Sequence, residues 1–502
     1  MLRFSPNPNS AHRIHWREWG ADAFELARQE DKPVMLCLCA FWCGICQRMD
    51  EITFSTDEVI ALLNAYFVPV RVEDAQRPDI DVRYNKNGWP TLVFLTPGGD
   101  FLASVNYLSP TDFSDVLVRV HVGYHRGDHA AAPARSRMLE SAEPGEPAPV
   151  RPESVREIAE IILADADPVH GGYGSDRKFP HCEVNEFFLR RYETTRDARY
   201  LNHVRLTLVK MHQSQTHDDA GGFFRYSSKP DWNEPHREKL LSDHAGLLSN
   251  VLHVFELTGE AFFQATAEEI IDYLERSFRD SREPFFHGCR DYIRIYPQRD
   301  LPEGAILHKA KGMFSLTDGW MYTDANARTV SALLRAAKTL RRPDLVDSAL
   351  ETLRFLQARG YDDSRGVAHY FDNAPRVWGL LTDQVSMGSA LLDAYEASQA
   401  GVFLEHAEAL AGFTLARLRN PTGGFFDIAE KGPAHLRYPL TLLTENGATA
   451  LFFVILHQAT GKPEYRDAAA WACQCFSGDF TSYGLHAAEY GTALQAYLDS
   501  GG

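Results

Sequence analysis

Six loops of one kind recur across the last two thirds of the chain, and they constrain its fold more than any other feature. They are Gly171-Gly172-Tyr173, Gly221-Gly222-Phe223-Phe224, Pro284-Phe285-Phe286-His287, Gly366-Val367-Ala368-His369-Tyr370, Gly423-Gly424-Phe425-Phe426 and Gly478-Asp479-Phe480. Between them, apolar residues recur at helical spacing over stretches of about 14–20 residues. The pattern predicts twelve helices, over 153–166, 182–194, 197–214, 241–258, 261–279, 323–340, 343–359, 381–398, 402–419, 441–460, 463–476 and 483–499. Glycine alone is an ordinary helix stop. Recurrence in register with helix pairs is not, and it marks a repeat. Six helical hairpins in a ring make an (α/α)6 toroid, whose second helix of each pair faces a shared cavity.

The first part of the chain reads differently. The apolar run Val34-Met35-Leu36-Cys37-Leu38 predicts a strand, and Phe41-Trp42-Cys43-Gly44-Ile45-Cys46 follows it. A C-x-x-C between a strand and a helix start is dithiol redox geometry. The helix N-terminus favours a thiolate on Cys43, the outer thiol, and Cys46 lies one turn in, placed to resolve a mixed disulfide. Half of a zinc site is the competing reading, but no second Cys/His pair follows at suitable spacing. Further strands are expected at 67–72, at 91–95 after Gly88-Trp89-Pro90, and at 101–105. Helices are expected at 16–30, from 56 to 66, at 80–84 and at 111–122. The fold class is therefore α/β plus all-α. An α/β domain covers 1–123, a Pro/Ala-rich linker 124–152 and the toroid 153–502.

At 502 residues more than one domain is expected. The net charge of −17 disfavours nucleic acid and anionic membrane as partners, since both need basic surface. Neither an apolar leader nor a span-length segment is visible, so the cytoplasm is the expected compartment. The eight cysteines do not form a dense disulfide framework, and in that compartment a C-x-x-C reads as catalytic. No cofactor and no four-ligand metal set are expected from the spacing.

The polar residues where inner helices begin are cavity candidates: His181 with Glu183, Asp243 with His244, Asp324 with Asn326, Asp383 with Gln384, Glu445 with Asn446, and His486 with Glu489. Ser/Thr-Asp is also a good N-cap, which is the simpler account of any single one. Together they would line one pocket with carboxylates and amides. With Trp232, Tyr322 and Trp378 near the rim, that pocket suits a polyhydroxylated ligand.

Two resemblances sharpen this. The β-α-β-α-β-β-α order, with Trp42-Cys43-Gly44-Ile45-Cys46 and Gly88-Trp89-Pro90-Thr91, resembles thioredoxin over about residues 15–123. The resemblance implies a cis proline at Pro90 packed against the sulfurs. It also implies a buried acid six residues before Cys43, where this chain has Cys37. Ile45 stands where a proline is common. Cys37 and Cys39 read as small core residues.

Lys178-Phe179-Pro180, Gly221-Gly222-Phe223-Phe224-Arg225-Tyr226-Ser227 and Glu234-Pro235-His236-Arg237-Glu238-Lys239-Leu240-Leu241-Ser242-Asp243 look like the YyaL-like proteins, which include the spermatogenesis-associated thioredoxin-fused proteins. That family joins a thioredoxin-like domain to a six-hairpin glycosidase-like domain, in this order. The resemblance adds His236, Glu238 and Lys239 to the cavity candidates. This chain has Gly44 and Gln47 where the family often has His, and it is shorter between Arg290 and Trp320.

Three functions follow as expectations. One is thiol–disulfide exchange by Cys43 and Cys46, with a disulfide-bearing protein client and a reductase as partners and a sugar-like small molecule in the toroid. The second is glycosidase or epimerase chemistry in the toroid. Two carboxyls from Asp243, Asp324, Asp383 and Glu445, or proton-carrying histidines from His181, His236, His244 and His369, would serve it. The third is a client-binding module without chemistry.

Overall fold

The computed structural model describes residues 2–127, 147–293, 304–310 and 313–501. Most of the expected linker lies outside the described residues. The chain divides into two compact units. One gathers Met1–Glu143, Tyr292–Asp318 and Glu430–Leu440; the other gathers Pro144–Asp291, Gly319–Ala429 and Thr441–Gly502. Two stretches beyond residue 152, which the sequence assigns to the toroid, thus belong with the first unit.

The first unit is thioredoxin-like. Strands β1 (Val34–Cys39), β2 (Val68–Glu73), β3 (Thr91–Leu95) and β4 (Phe101–Val105) form one sheet in the order β2-β1-β3-β4. β1 runs parallel to β2 and antiparallel to β3. All residues of β1, β2 and β3 are buried, which is why they read as continuous apolar runs. Helices α1 (Ala21–Glu30), α2 (Gly44–Arg48), α3 (Asp57–Tyr66), α4 (Pro78–Tyr84) and α5 (Pro110–Arg126) complete the unit. α5 outruns its expected end at residue 122 by about a turn. It stops where Gly127 takes a left-handed conformation, φ 75°, and donates its N–H to the last carbonyls. Glu430–Leu440 is held through α4. Arg83 donates to the Tyr438 carbonyl at 3.0 Å, and the Tyr84 ring stacks on His435 at 5.0 Å.

The second unit contains the ring. Six outer helices, α6 (Pro152–Ala164), α8 (Ala198–His212), α10 (Ala261–Ser277), α12 (Asp344–Gly360), α14 (Gly401–Arg417) and α16 (Pro463–Gln474), alternate with six inner ones. The inner helices are α7 (Cys182–Thr195), α9 (Leu241–Thr258), α11 (Thr323–Leu340), α13 (Leu381–Ser398), α15 (Leu443–Thr460) and α17 (Ala488–Asp499). Each inner helix packs on the next, and α17 closes the ring on α7. The loops add short antiparallel pairs absent from the sequence reading: Lys239 with Arg290, Met321 with Phe371, and Ala368 with Trp378.

Four of the six loops are each held by one side chain of the inner helix that follows. The fourth residue of α9, α11, α13 and α15 is His244, Asn326, Gln384 and Asn446 in turn. The Asn326, Gln384 and Asn446 side-chain oxygens accept the N–H of Phe286, Val367 and Phe425 at 2.7–2.8 Å, and their amides donate back to the same residues' carbonyls. His244 does likewise: Nε2 accepts the Phe223 N–H at 3.0 Å, and Nδ1 donates to the Leu240 carbonyl at 2.7 Å. The clamp explains the second glycine of two loops. A Cβ at Gly222 would lie 2.6 Å from His244 Nε2, and one at Gly424 would lie 2.7 Å from Asn446 Oδ1.

Candidate functional site

The dithiol stands where its motif puts it. Cys43 is the N-cap of α2, and its Sγ accepts the Cys46 N–H at 3.1 Å. That bond directs a helix-terminal N–H at the outer sulfur. Cys46 is deeper. Burial and its contact with Cys43 push its thiol well above the ordinary range, so it keeps its proton. The Trp89–Pro90 bond is cis, as the thioredoxin resemblance implies. Trp42 and Trp89 meet edge to face at 5.2 Å and pack with Cys39, Ala40, Cys43 and Cys46. Gly44 and Ile45, between the two cysteines, are exposed. Cys37 and Cys39 are both buried in β1.

Buried acids lie around this centre that the motif does not announce. Glu73, at the end of β2, accepts the Phe41 N–H at 3.0 Å and the Gln76 N–H at 3.1 Å, which fixes the approach to Trp42 and Cys43. Asp74 follows it, pushed well up by burial and by Glu73. Asp81 accepts the Trp89 indole N–H at 2.9 Å and so orients the residue before Pro90.

In the toroid, a hollow of about 330 Å³ opens at the inner-helix starts, lined by His181, Glu183, Arg328, Glu445, His486 and Glu489 among others. A second hollow of about 260 Å³ adjoins it, sharing Glu183, Arg328, Ser386 and Glu489 and adding Cys182 and Asn250. Arg328 lies 3.6 Å from Glu183. Burial pushes Glu489 up to about 7, Arg328 opposing and Glu183 adding to the shift. Asp243, in the first turn of α9, is also pushed up to about 7, chiefly by burial. Its Oδ2 has no hydrogen-bond partner among the described residues. Burial holds His181 below the usual imidazole range.

The other candidates have different places. His244, Asn326, Gln384 and Asn446 are the loop clamps, their polar atoms turned onto loop backbone. His244 is held down to about 3 by burial, a neutral imidazole. Lys239 is fully buried and donates to Asp218 at 2.7 Å and to the Gly221 carbonyl at 2.6 Å, anchoring the second loop. Lys178 repeats this on Asp167 and Gly174 in the first loop. Glu238 is buried 3.6 Å from Arg225, and exposed His236 stacks on Tyr226 at 4.1 Å. Asp324 and Asp383 converge on His369, whose Nδ1 lies 3.0 Å from both Asp383 oxygens. The N-cap residues of α9, α11, α13 and α15 are Leu240, Tyr322, Leu380 and Leu442, and none makes a side-chain cap bond.

A family described as "Protein of unknown function, DUF255", Thioredox_DsbH, matches residues 7–141. Over 95% of its length the chain is 26% identical to spermatogenesis-associated protein 20 of Homo sapiens, spanning 77% of that protein. Over 18% of its length it is 32% identical to the thiol:disulfide interchange protein DsbD of Campylobacter jejuni, spanning 17% of it. Among solved structures, a D-mannose isomerase is 12% identical with a TM-score of 0.54, covering 69% of this chain and 96% of that one. The chain thus has homologues over most of its length, and it joins a thioredoxin-like domain to an (α/α)6 ring that shares its fold with that isomerase.

Proposed function

We propose that this chain, similar over 95% of its length to spermatogenesis-associated protein 20, is a thiol–disulfide oxidoreductase. The observation that carries the reading is the N-cap position of Cys43, with Cys46 N–H bonded to its sulfur and Cys46 buried behind it. In the forward direction the Cys43 thiolate attacks a client disulfide. A Cys43–client S–S bond forms, and the client's second sulfur leaves as a thiolate that takes a proton. Cys46 then attacks Cys43 Sγ, the Cys43–client S–S bond breaks, and the Cys46 proton passes to the departing client sulfur. The Cys43–Cys46 disulfide forms and the client leaves as a dithiol, reduced by two electrons. The similarity to an interchange protein supports this reading. The test is a Cys46→Ser chain incubated with a disulfide-bearing peptide and read by intact mass. A stable adduct on Cys43 is expected; no adduct refutes the reading.

A second reading concerns the toroid: its hollow takes a carbohydrate. Glu489, pushed up to about 7, can hold or release a proton near neutral pH, and Arg328 can grip a ring oxygen or carboxylate. One structural neighbour, which shares the ring fold, is a D-mannose isomerase. A sugar at one hundred times its Kd would stabilise the chain by about 2.7 kcal/mol. A thermal-shift screen of mono- and disaccharides should find a sugar that stabilises the chain and fails to stabilise Arg328→Met. No shift with any sugar at millimolar concentration refutes this reading and leaves the first intact.

A further inference from the structure

On the outer layer of the ring, two histidines and a glutamate converge without serving either reading above. His212 is the last residue of α8, His217 lies in the loop that follows, and Glu269 stands in mid-α10. His212 Nε2 is 3.4 Å from Glu269 Oε2, and His217 Nε2 is 2.5 Å from Glu269 Oε1. The two imidazoles stack at 4.3 Å with 17° between their planes. The three ligand atoms all lie within 4.8 Å of one another.

We propose that His212, His217 and Glu269 form a binding site for a divalent transition metal of the zinc class. Two imidazole nitrogens and one carboxylate oxygen suit zinc, and bonds of about 2.1 Å in a tetrahedron put ligand atoms about 3.4 Å apart. Against different oxygens of the one carboxylate, His212 already has that spacing and His217 falls short of it by about 1 Å, and one ligand atom from each residue lies within 4.8 Å of the others.

The site is held from three sides before any ion arrives. His217 is fixed by its backbone bridge to Phe223, and the Phe223 N–H is in turn clamped by His244. Phe262 packs edge-on against His212 at 5.0 Å. The three side chains keep 26, 19 and 30% exposure, so water can reach the fourth position and complete the coordination. An ion here would pin the loop after α8 to α10.

The test uses the full chain carrying Cys43→Ser and Cys46→Ser, which removes the dithiol as a rival ligand. It is titrated with Co2+ and read by its visible absorption, then competed with Zn2+. One tightly held Co2+ per chain is expected, with bands of tetrahedral or five-coordinate N/O ligation that Zn2+ erases. Adding His217→Ala should weaken binding at least tenfold. Far-UV circular dichroism of that variant, matching its parent, shows that the fold persists. A second variant, Glu269→Gln, should do the same from the α10 side. Absence of bound Co2+, or a stoichiometry and affinity unchanged by both variants, overturns the site.

Discussion

Truncating one loop clamp tests whether the repeat is built as described. Asn446 is fully buried and makes three hydrogen bonds: from the Phe425 N–H at 2.7 Å, to the Phe425 carbonyl at 3.0 Å and to the Leu442 carbonyl at 2.9 Å. Leu442 O keeps the helix bond from the Asn446 N–H, so Asn446→Ala strands only the two Phe425 groups. A buried polar group left unpaired costs about 1–3 kcal/mol. With the small cavity left by the amide, the expected loss is about 3 kcal/mol. Urea unfolding followed by far-UV circular dichroism, which the helical unit dominates, reads it as a lower midpoint at unchanged slope. Glu489→Gln, in the hollow, is the control and should change stability by less than about 0.5 kcal/mol at pH near 4, where Glu489 is protonated in the folded state and largely so in the unfolded one. If Asn446→Ala costs less than about 1 kcal/mol, the amide does not hold the loop and the clamp reasoning fails.

Other outcomes follow from the same geometry. Glu489 and Asp243 have folded pKa values near 7, above the ordinary carboxylate range, so the folded state binds more protons than the unfolded one. Stability therefore falls as pH rises from about 4 to about 7, and Glu489→Gln should flatten that slope in denaturant midpoints taken across the range. Lys239→Met removes the partner of Asp218 and of the Gly221 carbonyl; a loss of about 2–4 kcal/mol is expected by urea unfolding, and a neutral result would contradict the anchor. Asp81→Asn retains an acceptor for the Trp89 indole and should leave Cys43 alkylation rates within about threefold, whereas Asp81→Leu should change them by more, if Asp81 positions the residue before Pro90.

The dithiol centre is legible in the sequence because its parts are local motifs: Cys43 to Cys46 on one turn, and Trp89-Pro90 at one strand start. The ring is legible because its period repeats. The interior of the ring is not. Asn326, Gln384 and Asn446 read as cavity residues because amides recognise sugars and loop backbone equally well, and the sequence does not say which way a side chain turns. Only their fixed place, three residues into each inner helix and one loop upstream, separates the two roles. Arg328 sits a turn inside α11 and gains meaning only from Glu183 and Glu489, brought to it by α7 and α17 from opposite ends of the unit. Glu73 and Asp74 extend a strand whose apolar run ends before them.

The central claim is that Cys43 and Cys46 are a working redox couple. Equilibration of the full chain across a series of dithiol/disulfide buffers, with free thiols counted by alkylation and mass, tests it most directly. The account predicts a reversible two-electron transition confined to Cys43 and Cys46, abolished by Cys43→Ser, with the six other cysteines reduced throughout. A chain in which Cys43 and Cys46 stay reduced at every potential, or whose transition survives Cys43→Ser, would contradict it.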